Sequence, residues 1–495
     1  DILVIRTGDP TITGVAPNSA FAGNPQKVTI TGSALSLGGT ANTRARFAGA
    51  LASFINIVSD TTLECETPAS LAAGPAVVSV ENANGGSALP ASAFTGYAYP
   101  ATFLAADAAI DPLSTAAVSD LAIARDGSVV HATWLKDGNV AHCVSVDGGA
   151  TWSPDQTLNG IDSPAAPQVV VSGANVIVLW IANGTSVVAR RSSDGGVAFG
   201  APEILNPLAG SAAATRLRVT GDGDYRYAAW LSGTSERVVV TSSSDGGVSW
   251  SSPVPVDDGG ARQAEHELVS QGANAWITFT DERQGAFISG AYSARTSDGG
   301  GTWSAAVLRS SPLTAISSPR IAADGEDVHI VWLRGGELRY AASTNGGGAF
   351  APPQTLANAM NGGVSAPAVA CDKNRMFATF VDGGNSVWVS AVTATGSLPQ
   401  NQQLSTLTAA AGSTAVIVRD NYVFATWRSG SVAGATARIR FTTSTDQGQS
   451  FLPAAAFGDG AASQDLPALA IDGARMLFCW LDYRGAQPAF FFNHN

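Results

Sequence analysis

Apolar and polar positions alternate in short runs along the whole chain, and from about residue 100 onward one longer pattern recurs. An apolar run ends in an aromatic residue, and a further apolar run and a turn follow it. The aromatic landmarks are Trp134, Trp180, Trp230, Phe279, Trp332, Phe380, Trp427 and Trp480, separated by 46 to 53 residues. This period predicts one four-stranded blade of a β-propeller per repeat. Eight blades are favoured and seven are the alternative count; no 3.6-residue apolar period persists, so almost no helix is expected.

The two ends of this repeat region are predicted to meet. The last repeat stops at residue 495, with room for three strands near 468–471, 476–481 and 489–493. Residues 101–110 stand where other repeats have their outer strand, and they are expected to supply the fourth. Pairing of the first and last strands would close the ring and hide the sheet edges.

A turn motif, Ser/Thr-x-Asp-x-Gly-x-x-Trp/Phe, follows most of the landmarks. Its six copies are centred on Asp147, Asp194, Asp245, Asp298, Asn345 and Asp446; in the repeat around Phe380, residues 393–396 occupy its place without forming it. The motif resembles the Asp box, or BNR repeat, of sialidase-like propellers. Its carboxylate can accept backbone N–H groups across a hairpin turn, and glycine takes the left-handed position. We interpret these side chains as structural, not as catalytic groups or calcium ligands.

The first hundred residues show a different order of short strands and turns. In sequence they read ITGVAP from Ile12, VTITG from Val28, RFAG from Arg46, LECETP from Leu63 and VSVEN from Val78, closing with Phe94 and Tyr97. Together these pieces resemble the IPT/TIG family, which implies an immunoglobulin-like β-sandwich acting as a spacer or protein-binding module. The predicted domains are therefore a sandwich over 1–99 and a propeller over 100–495. Residues 1–8 alternate like a strand, expected to pair within the sandwich or, alternatively, with a neighbouring subunit.

Composition and charge narrow the class of partner. Of the 495 residues, 45% are hydrophobic and 13% charged, and the net charge is −12. This balance argues against nucleic acid and against an anionic membrane surface, and no run approaches the roughly 20 apolar residues of a spanning helix. Because the chain begins at Asp1, we expect a mature chain whose signal peptide has been removed, and hence an extracellular or cell-surface protein. Alanine-rich strands and the absence of disulfide spacing favour a bacterial source.

The four cysteines and five histidines do not form a recognisable metal or haem pattern. The cysteines, Cys65, Cys143, Cys371 and Cys479, lie far apart in apolar runs, so free buried thiols are expected and one bridge stays open as an alternative. No metal and no cofactor are predicted. The acidic segment 221–224 could bind calcium, but it lacks the ligand count of a dedicated loop, and a plain turn is favoured.

Ligands of propellers usually gather where the innermost strands begin, about twelve to fourteen residues before each landmark. Reading around the ring, these positions are Asp120, Gln168, Arg216, Glu267 beside His266, Arg320, Ala368, Ala415 and Ala468. Five polar repeats therefore face three with alanine. Arginine matches a carboxylate or sulfate, so the polar arc is a candidate site for an acidic sugar; the alternative is that these groups pair with one another and with water.

The resemblance to sialidase-like propellers also implies a possible glycoside hydrolase. Sialidases use three arginines, a tyrosine nucleophile with a glutamate partner, and an aspartate acid/base. The Arg-Ile-Pro motif of their first blade is absent from the first repeat here, and the most similar segment is Pro319-Arg320-Ile321 in the fifth repeat. Tyr422 and Tyr483 have no adjacent glutamate. The catalytic set is not recognisable, so no catalytic residue is assigned.

Three functions remain open on the sequence. The favoured one is a non-catalytic surface or adhesion protein that binds a glycan or another protein through the propeller. The second is a structural subunit of a surface layer, fibre or appendage, forming homo-oligomers or filaments. The third is a sialidase-like hydrolase with a rearranged site.

Overall fold

The structure is a computed structural model that describes most of the chain. Described are residues 9–16, 19–21, 27–36, 42–90, 93–97, 108–110, 116–207, 212–257, 260–285, 288–311, 315–372, 375–393, 401–405, 411–419, 422–430, 437–444, 446–456, 463–472, 475–484 and 488–494. The predicted strand at residues 1–8 lies outside this set, as do residues 101–107 and 394–400.

The N-terminal part is a β-sandwich whose alternating apolar positions meet between two sheets. Its strands are β1 (Thr11–Ala16), β2 (Ser19–Phe21), β3 (Lys27–Ser33), β4 (Arg44–Phe47), β5 (Ala50–Leu51), β6 (Phe54–Ser59), β7 (Thr62–Glu66), β8 (Gly74–Pro75), β9 (Val78–Asn82), β10 (Gly85–Leu89) and β11 (Thr95–Tyr97). The sheets run β1-β3-β7-β6 and β10-β9-β4-β5, with a small third sheet β2-β11-β8. Buried Phe47 and Phe94, with ring centroids 4.9 Å apart, anchor the core.

The next strand along the chain, β12 (Ala108–Ala109), is the outer strand of the eighth blade. Blades 1 to 4 follow as β13 (Val118–Asp126), β14 (Val129–Lys136), β15 (Asn139–Ser145), β16 (Gln156–Thr157); β17 (Pro164–Ser172), β18 (Asn175–Ala182), β19 (Ser186–Ser192), β20 (Glu203–Ile204); β21 (Ala214–Asp222), β22 (Tyr225–Ser232), β23 (Arg237–Ser243), β24 (Val254–Pro255); and β25 (Gln263–Gln271), β26 (Asn274–Asp281), β27 (Gly290–Thr296), β28 (Val307–Leu308).

Blades 5 to 8 complete the repeat region. Their strands are β29 (Ser317–Asp324), β30 (Asp327–Arg334), β31 (Glu337–Ser343), β32 (Gln354–Ala357); β33 (Val364–Asp372), β34 (Arg375–Asp382), β35 (Val387–Thr393), β36 (Gln402–Gln403); β37 (Ala411–Arg419), β38 (Tyr422–Ser429), β39 (Arg438–Ser444), β40 (Ala455–Ala456); and β41 (Gln464–Asp472), β42 (Arg475–Asp482), β43 (Ala489–His494). A 3-10 turn, Met360–Gly362, precedes β33.

Eight four-stranded antiparallel sheets are thus present in the described part of the repeat region, which confirms eight blades over seven. The eighth has the order β12-β43-β42-β41, and β12 pairs with β43 through Ala108 opposite Phe492 and Ala109 opposite Phe491. The predicted pairing of the two ends is therefore confirmed. Inner strand β41 also packs beside β13 of blade 1, as each inner strand packs beside the next.

The landmark aromatic side chains form the packing between blades. Each lies on the second strand of its blade, and the tryptophans are at most 2% exposed. Trp180, for example, packs in one cluster with Val140 and Leu158 of blade 1. The period of 46 to 53 residues is therefore the spacing of inter-blade contacts.

The Asp boxes form the turn after the third strand of their blades. In the first, the Oγ of Ser145 donates to Asp147 Oδ1 at 2.7 Å, and the backbone N–H of Thr151 donates to the same oxygen at 2.9 Å. The backbone N–H of Gly149 donates to Ser145 Oγ at 2.8 Å. Burial is the largest single influence on the pKa of the Asp147 carboxyl and raises it, but the hydrogen bonds from Thr151 and Ser145 together lower it to about 2. The carboxylate is thus saturated by its own turn.

The second glycine of each box presses against the preceding blade. A Cβ on Gly196 of blade 2 would lie 2.9 Å from Cε1 of His142 in blade 1, and one on Gly149 of blade 1 would lie 2.8 Å from Cδ1 of Leu477 in blade 8. The first glycine of the second box has more freedom: Gly195 has φ +76° and open space around it. In the last box Gln447 holds the same place at φ 63°. Each box turn therefore locks one blade to its neighbour.

This contact predicts a difference between two adjacent glycines. Gly196→Ala should lower the free energy of unfolding by about 2–4 kcal/mol, since left-handed strain adds to an inter-blade clash. Gly195→Ala, at nearly the same φ but in open space, should cost only about 1 kcal/mol. Urea denaturation of both variants measures the difference; equal losses would contradict the locking role.

The four cysteines all lie within described strands. All four cysteines are free thiols, three of them buried and Cys371 partly so. Burial raises the pKa of the Cys65 and Cys479 thiols to about 12. Within the described ranges, no helix is both long and apolar enough to cross a membrane.

Candidate functional site

Every inner strand contains a β-bulge, and the bulge determines which side chains of the eight inner strands lie at the same height along the propeller axis. The pairing of inner and second strands shifts register between, for example, Ala165 and Gln168, or Ser317 and Arg320. In seven inner strands the residue fourteen before the landmark has a positive φ between 48° and 55°. Because of the bulge, the side chain fourteen residues before a landmark points in a different direction from the side chain twelve residues before it.

The candidate residues therefore belong to two levels. The bulge level, fourteen residues before each landmark, holds Asp120, Ala166, Arg216, Glu265, Ser318, Ala366, Ser413 and Leu466. The strand level, twelve residues before, holds Ala122, Gln168, Arg218, Glu267, Arg320, Ala368, Ala415 and Ala468. The arc read from the sequence mixed the levels and so missed Arg218 and Glu265. A constant spacing of twelve would have found Arg218.

The inner strands of blades 4 to 7 enclose a cavity of about 310 Å³, which we call the central cavity. Blades 4 and 5 contribute Glu267 and Arg320 to its lining, and blades 6 and 7 contribute Ala368, Ser413 and Thr414. The structure thus brings two predicted site residues together beside small side chains. The cavity has a charged wall and a largely apolar wall with two hydroxyl-bearing residues.

The charged wall is only loosely paired. Arg320 Nη1 lies 4.0 Å from Glu267 Oε2, with side chains 37% and 29% exposed. The same Nη1 donates to the backbone carbonyl of Pro319 at 3.0 Å. Among the described residues the guanidinium makes no other hydrogen bond, so most of its N–H donors face outward to a ligand or solvent.

The neighbouring blades add polar groups held by their own backbone. Gln168 Nε2 donates to the carbonyl of Pro167 at 2.9 Å, and Arg218 Nη1 donates to that of Leu217 at 3.2 Å. Arg216 and Asp120 are exposed on the bulge level. These groups continue the arc around blades 1 to 3, outside the lining of the central cavity.

Blade 4 carries the remaining predicted residue, His266, which the structure buries. Its side chain is 4% exposed, and its Nε2 lies 3.4 Å from the carbonyl oxygen of Ala229 in blade 3. Burial, reinforced by the positive charge of Arg218, lowers the pKa of His266 to about 4. The neutral imidazole therefore belongs to the packing between blades 3 and 4. Glu265, beside it, accepts the backbone N–H of Ser318 in blade 5.

Two acid–arginine pairs near the second strands brace their blades. Asp281 accepts Arg283 Nε at 2.9 Å and Nη2 at 2.8 Å, and Asp482 accepts Arg484 in the same way at 3.0 and 2.8 Å. Both carboxylates are at most 1% exposed. Arg283 Nη2 also pairs with Asp257 of blade 3 at 2.6 Å, and both acid–arginine pairs lie outside the lining of the central cavity.

The described residues show no arrangement that would hold a metal ion, that is, no cluster of three or more His, Cys, Asp or Glu side chains. The acidic segment 221–224 forms the hairpin between β21 and β22, where Asp222 Oδ2 accepts the backbone N–H of Gly272 in blade 4 at 3.0 Å. Asp222 is thus used between blades.

Comparisons with known proteins recognise the first domain. Residues 10–95 match the IPT/TIG domain model, which confirms that resemblance and places an IPT/TIG domain in this part of the chain. No curated protein matches the chain.

Solved structures give only a general likeness to the propeller. A lectin from Burkholderia pseudomallei has 14% identity and a TM-score of 0.46 over 69% of this chain and 99% of its own. A polysaccharide lyase acting on ulvan has 11% and 0.44 over 63% and 91%. A Trypanosoma rangeli sialidase has 10% and 0.35 over 64% and 58%. These values assign no role to any residue of this chain.

Proposed function

We propose that this IPT/TIG-containing propeller protein binds an acidic glycan in its central cavity. The observation that carries the proposal is the Arg320 guanidinium, partly exposed in a cavity of about 310 Å³ and paired with Glu267 only at 4.0 Å. A planar guanidinium with open N–H donors fits a sugar carboxylate or sulfate in a bidentate way.

The rest of the cavity suits a sugar ring. Glu267 can accept hydrogen bonds from ring hydroxyls while keeping Arg320 in place. On the apolar wall formed by blades 6 and 7, the methyl group of Ala368 offers an apolar surface and Ser413 adds a hydroxyl. The volume is at the lower end of ligand pockets, about 300–1,000 Å³, so it fits one sugar unit of a longer chain.

Binding without cleavage is part of the proposal. Glycosidases of the retaining and inverting types use a pair of carboxyl groups across the scissile bond. Among the described residues that line the central cavity, Glu267 is the one carboxylate. We place the protein outside the cell or on its surface, where acidic glycans are displayed, with the IPT/TIG domain as spacer.

The binding residue is tested by substitution at Arg320. Arg320→Ala should weaken binding of a uronic acid or sulfated oligosaccharide about 10- to 100-fold, the loss expected for one charged hydrogen-bonding group. Arg320→Lys should recover only part, because an ammonium lacks the fork. Isothermal titration calorimetry gives the dissociation constants.

The matched control is Arg262→Ala. Arg262 is also an arginine of an ion pair, with Glu236 and Glu282, but it is 52% exposed and lies outside the cavity lining. It should leave affinity unchanged. Equal affinity of native protein and Arg320→Ala would contradict the proposal. Absence of acidic-glycan binding by the native protein would favour assembly with copies of itself or with surface proteins instead.

A further inference from the structure

A second cavity lies on the outer rim of the propeller, between blades 2 and 3. It has a volume of about 390 Å³, and its walls come from the outer strand β20 and the residues after it on one side, and from blade 3 on the other. Ile204 and Val254 beside it are 52% and 43% exposed. We call it the rim cavity; none of its lining residues belongs to the central cavity.

Two indoles line the rim cavity in different ways. Trp250, the aromatic residue of the third Asp box, is partly exposed and presents a ring surface. Trp230, a landmark residue, is 1% exposed, and its Nε1–H has no hydrogen-bond acceptor among the described residues. In blade 2 the corresponding donor is satisfied: Trp180 Nε1 donates to Asp162 Oδ2 at 2.7 Å. Eighteen residues before Trp230, where blade 2 has Asp162, the chain has Ala212.

A buried, unpaired N–H destabilises the fold, and an acceptor in the adjoining cavity would offset that loss. Within the described part of the chain, Trp332 and Trp427 also lack an acceptor for their indole N–H. What distinguishes Trp230 is that it lines a cavity large enough for a ligand. The ligand should therefore offer an oxygen to Trp230 Nε1, and the indole must shift slightly for that oxygen to reach it, because Nε1 has almost no accessible surface.

The remaining lining defines the charge and shape of that ligand. Glu203 is exposed, and among the described lining residues it carries the one ionisable side chain, so an anionic ligand is disfavoured. The hydroxyls of Ser232 and Ser252 have no partner among the described residues and can bond to polar groups. Apolar walls from Ile204 and nearby prolines suit C–H groups. A ring with one C–H face and several hydroxyls meets all these requirements.

We infer that the rim cavity binds a neutral sugar. The sugar would stack its C–H face on Trp250, accept a hydrogen bond from Trp230 Nε1 and donate a hydroxyl to Glu203. This site has the opposite charge preference from the central cavity and does not depend on it. The protein would then hold an acidic unit at its centre and a neutral unit on its rim.

Saturation-transfer NMR with the methyl glycosides of glucose, galactose, mannose, fucose and N-acetylglucosamine tests the inference on the full chain. At least one glycoside should receive saturation and titrate with a millimolar dissociation constant. Trp250→Ala should abolish this transfer. Trp230→Phe should weaken binding about 3- to 30-fold through loss of one donor. Phenylalanine is accommodated at this place in blade 4, as Phe279, so the variant should fold.

The control is Trp332→Phe, the same substitution at the same place of blade 5, which should leave sugar binding unchanged. Arg320→Ala should also leave it unchanged, which separates failure of this site from failure of the central cavity. The inference is overturned if no neutral glycoside binds, if Trp332→Phe weakens binding as much as Trp230→Phe, or if a proline-rich peptide binds there and no sugar does.

Discussion

Phe492→Ala is expected to lower the free energy of unfolding by about 3–5 kcal/mol, the loss typical of a large aromatic side chain removed from a core. Phe492 is 2% exposed on β43, the strand that receives β12 from the other end of the propeller. Its ring lies 5.3 Å from that of Trp152 in blade 1, so one side chain joins the last blade to the first. Urea denaturation at neutral pH measures the loss.

The matched control is Phe54→Ala in the sandwich, because Phe54 is 48% exposed. It should change stability by no more than about 0.5 kcal/mol, as surface substitutions usually do. A loss below about 1 kcal/mol for Phe492→Ala would contradict the closure of the ring through β43.

Removing residues 488–495 altogether should expose the edge of β42 and cause aggregation, visible by size-exclusion chromatography.

Acidification is expected to destabilise the protein strongly between about pH 6.5 and pH 4. Four histidines are at most 4% exposed, and burial lowers the pKa values of His131, His266 and His329 to about 4 and that of His142 to about 3. The unfolded chain binds these protons near pH 6.5, whereas the folded chain excludes them. Stability is therefore full above that pH and falls as the pH drops, by on the order of 1–2 kcal/mol per histidine at pH 5.

Urea midpoints at pH 7.5 and pH 5 measure this effect. His131 and His142 also form a stacked pair, with His131 Nδ1 3.1 Å from His142 Nε2. Once one ring is charged, its positive charge opposes protonation of the other. The variant His329→Phe should reduce the pH dependence by about a quarter, since it removes one of four titrating groups. Equal stability at the two pH values would contradict the neutral, buried state of these side chains. The Asp-box carboxylates, with pKa values of about 2 at Asp147 and Asp245, contribute only below this window.

The fold could be predicted from the sequence because its main contacts repeat. Each landmark aromatic, such as Trp180, is a side chain packed between two blades, so the period along the chain reports the blade count directly. The pairing of the two ends could also be predicted, since the last repeat has room for three strands and residues before the first repeat are free to complete it.

The candidate site could be predicted less well, because a β-bulge and neighbours distant in sequence determine which side chains line it. The bulge between Thr215 and Arg218 puts Arg216 and Arg218 on different levels, and alternation alone does not show where a bulge falls. His266 matched the spacing but is buried against blade 3. The rim cavity depends on outer strands of two blades, about 50 residues apart along the chain, and on one missing acceptor at Ala212.

The central claim is that an acidic glycan occupies the central cavity, and affinity measured with both of its walls altered tests it most directly. A glycan array would first select the tightest acidic ligand, with the Arg216→Ala/Arg320→Ala double variant beside the native protein. Calorimetry on that ligand would then compare the native protein with Arg320→Ala on the charged wall and Ala368→Leu on the apolar wall. Both variants should lose at least tenfold in affinity while their urea midpoints stay close to the native value. Unchanged affinity in both would show that the glycan binds elsewhere and that the central cavity is only a packing feature of the ring.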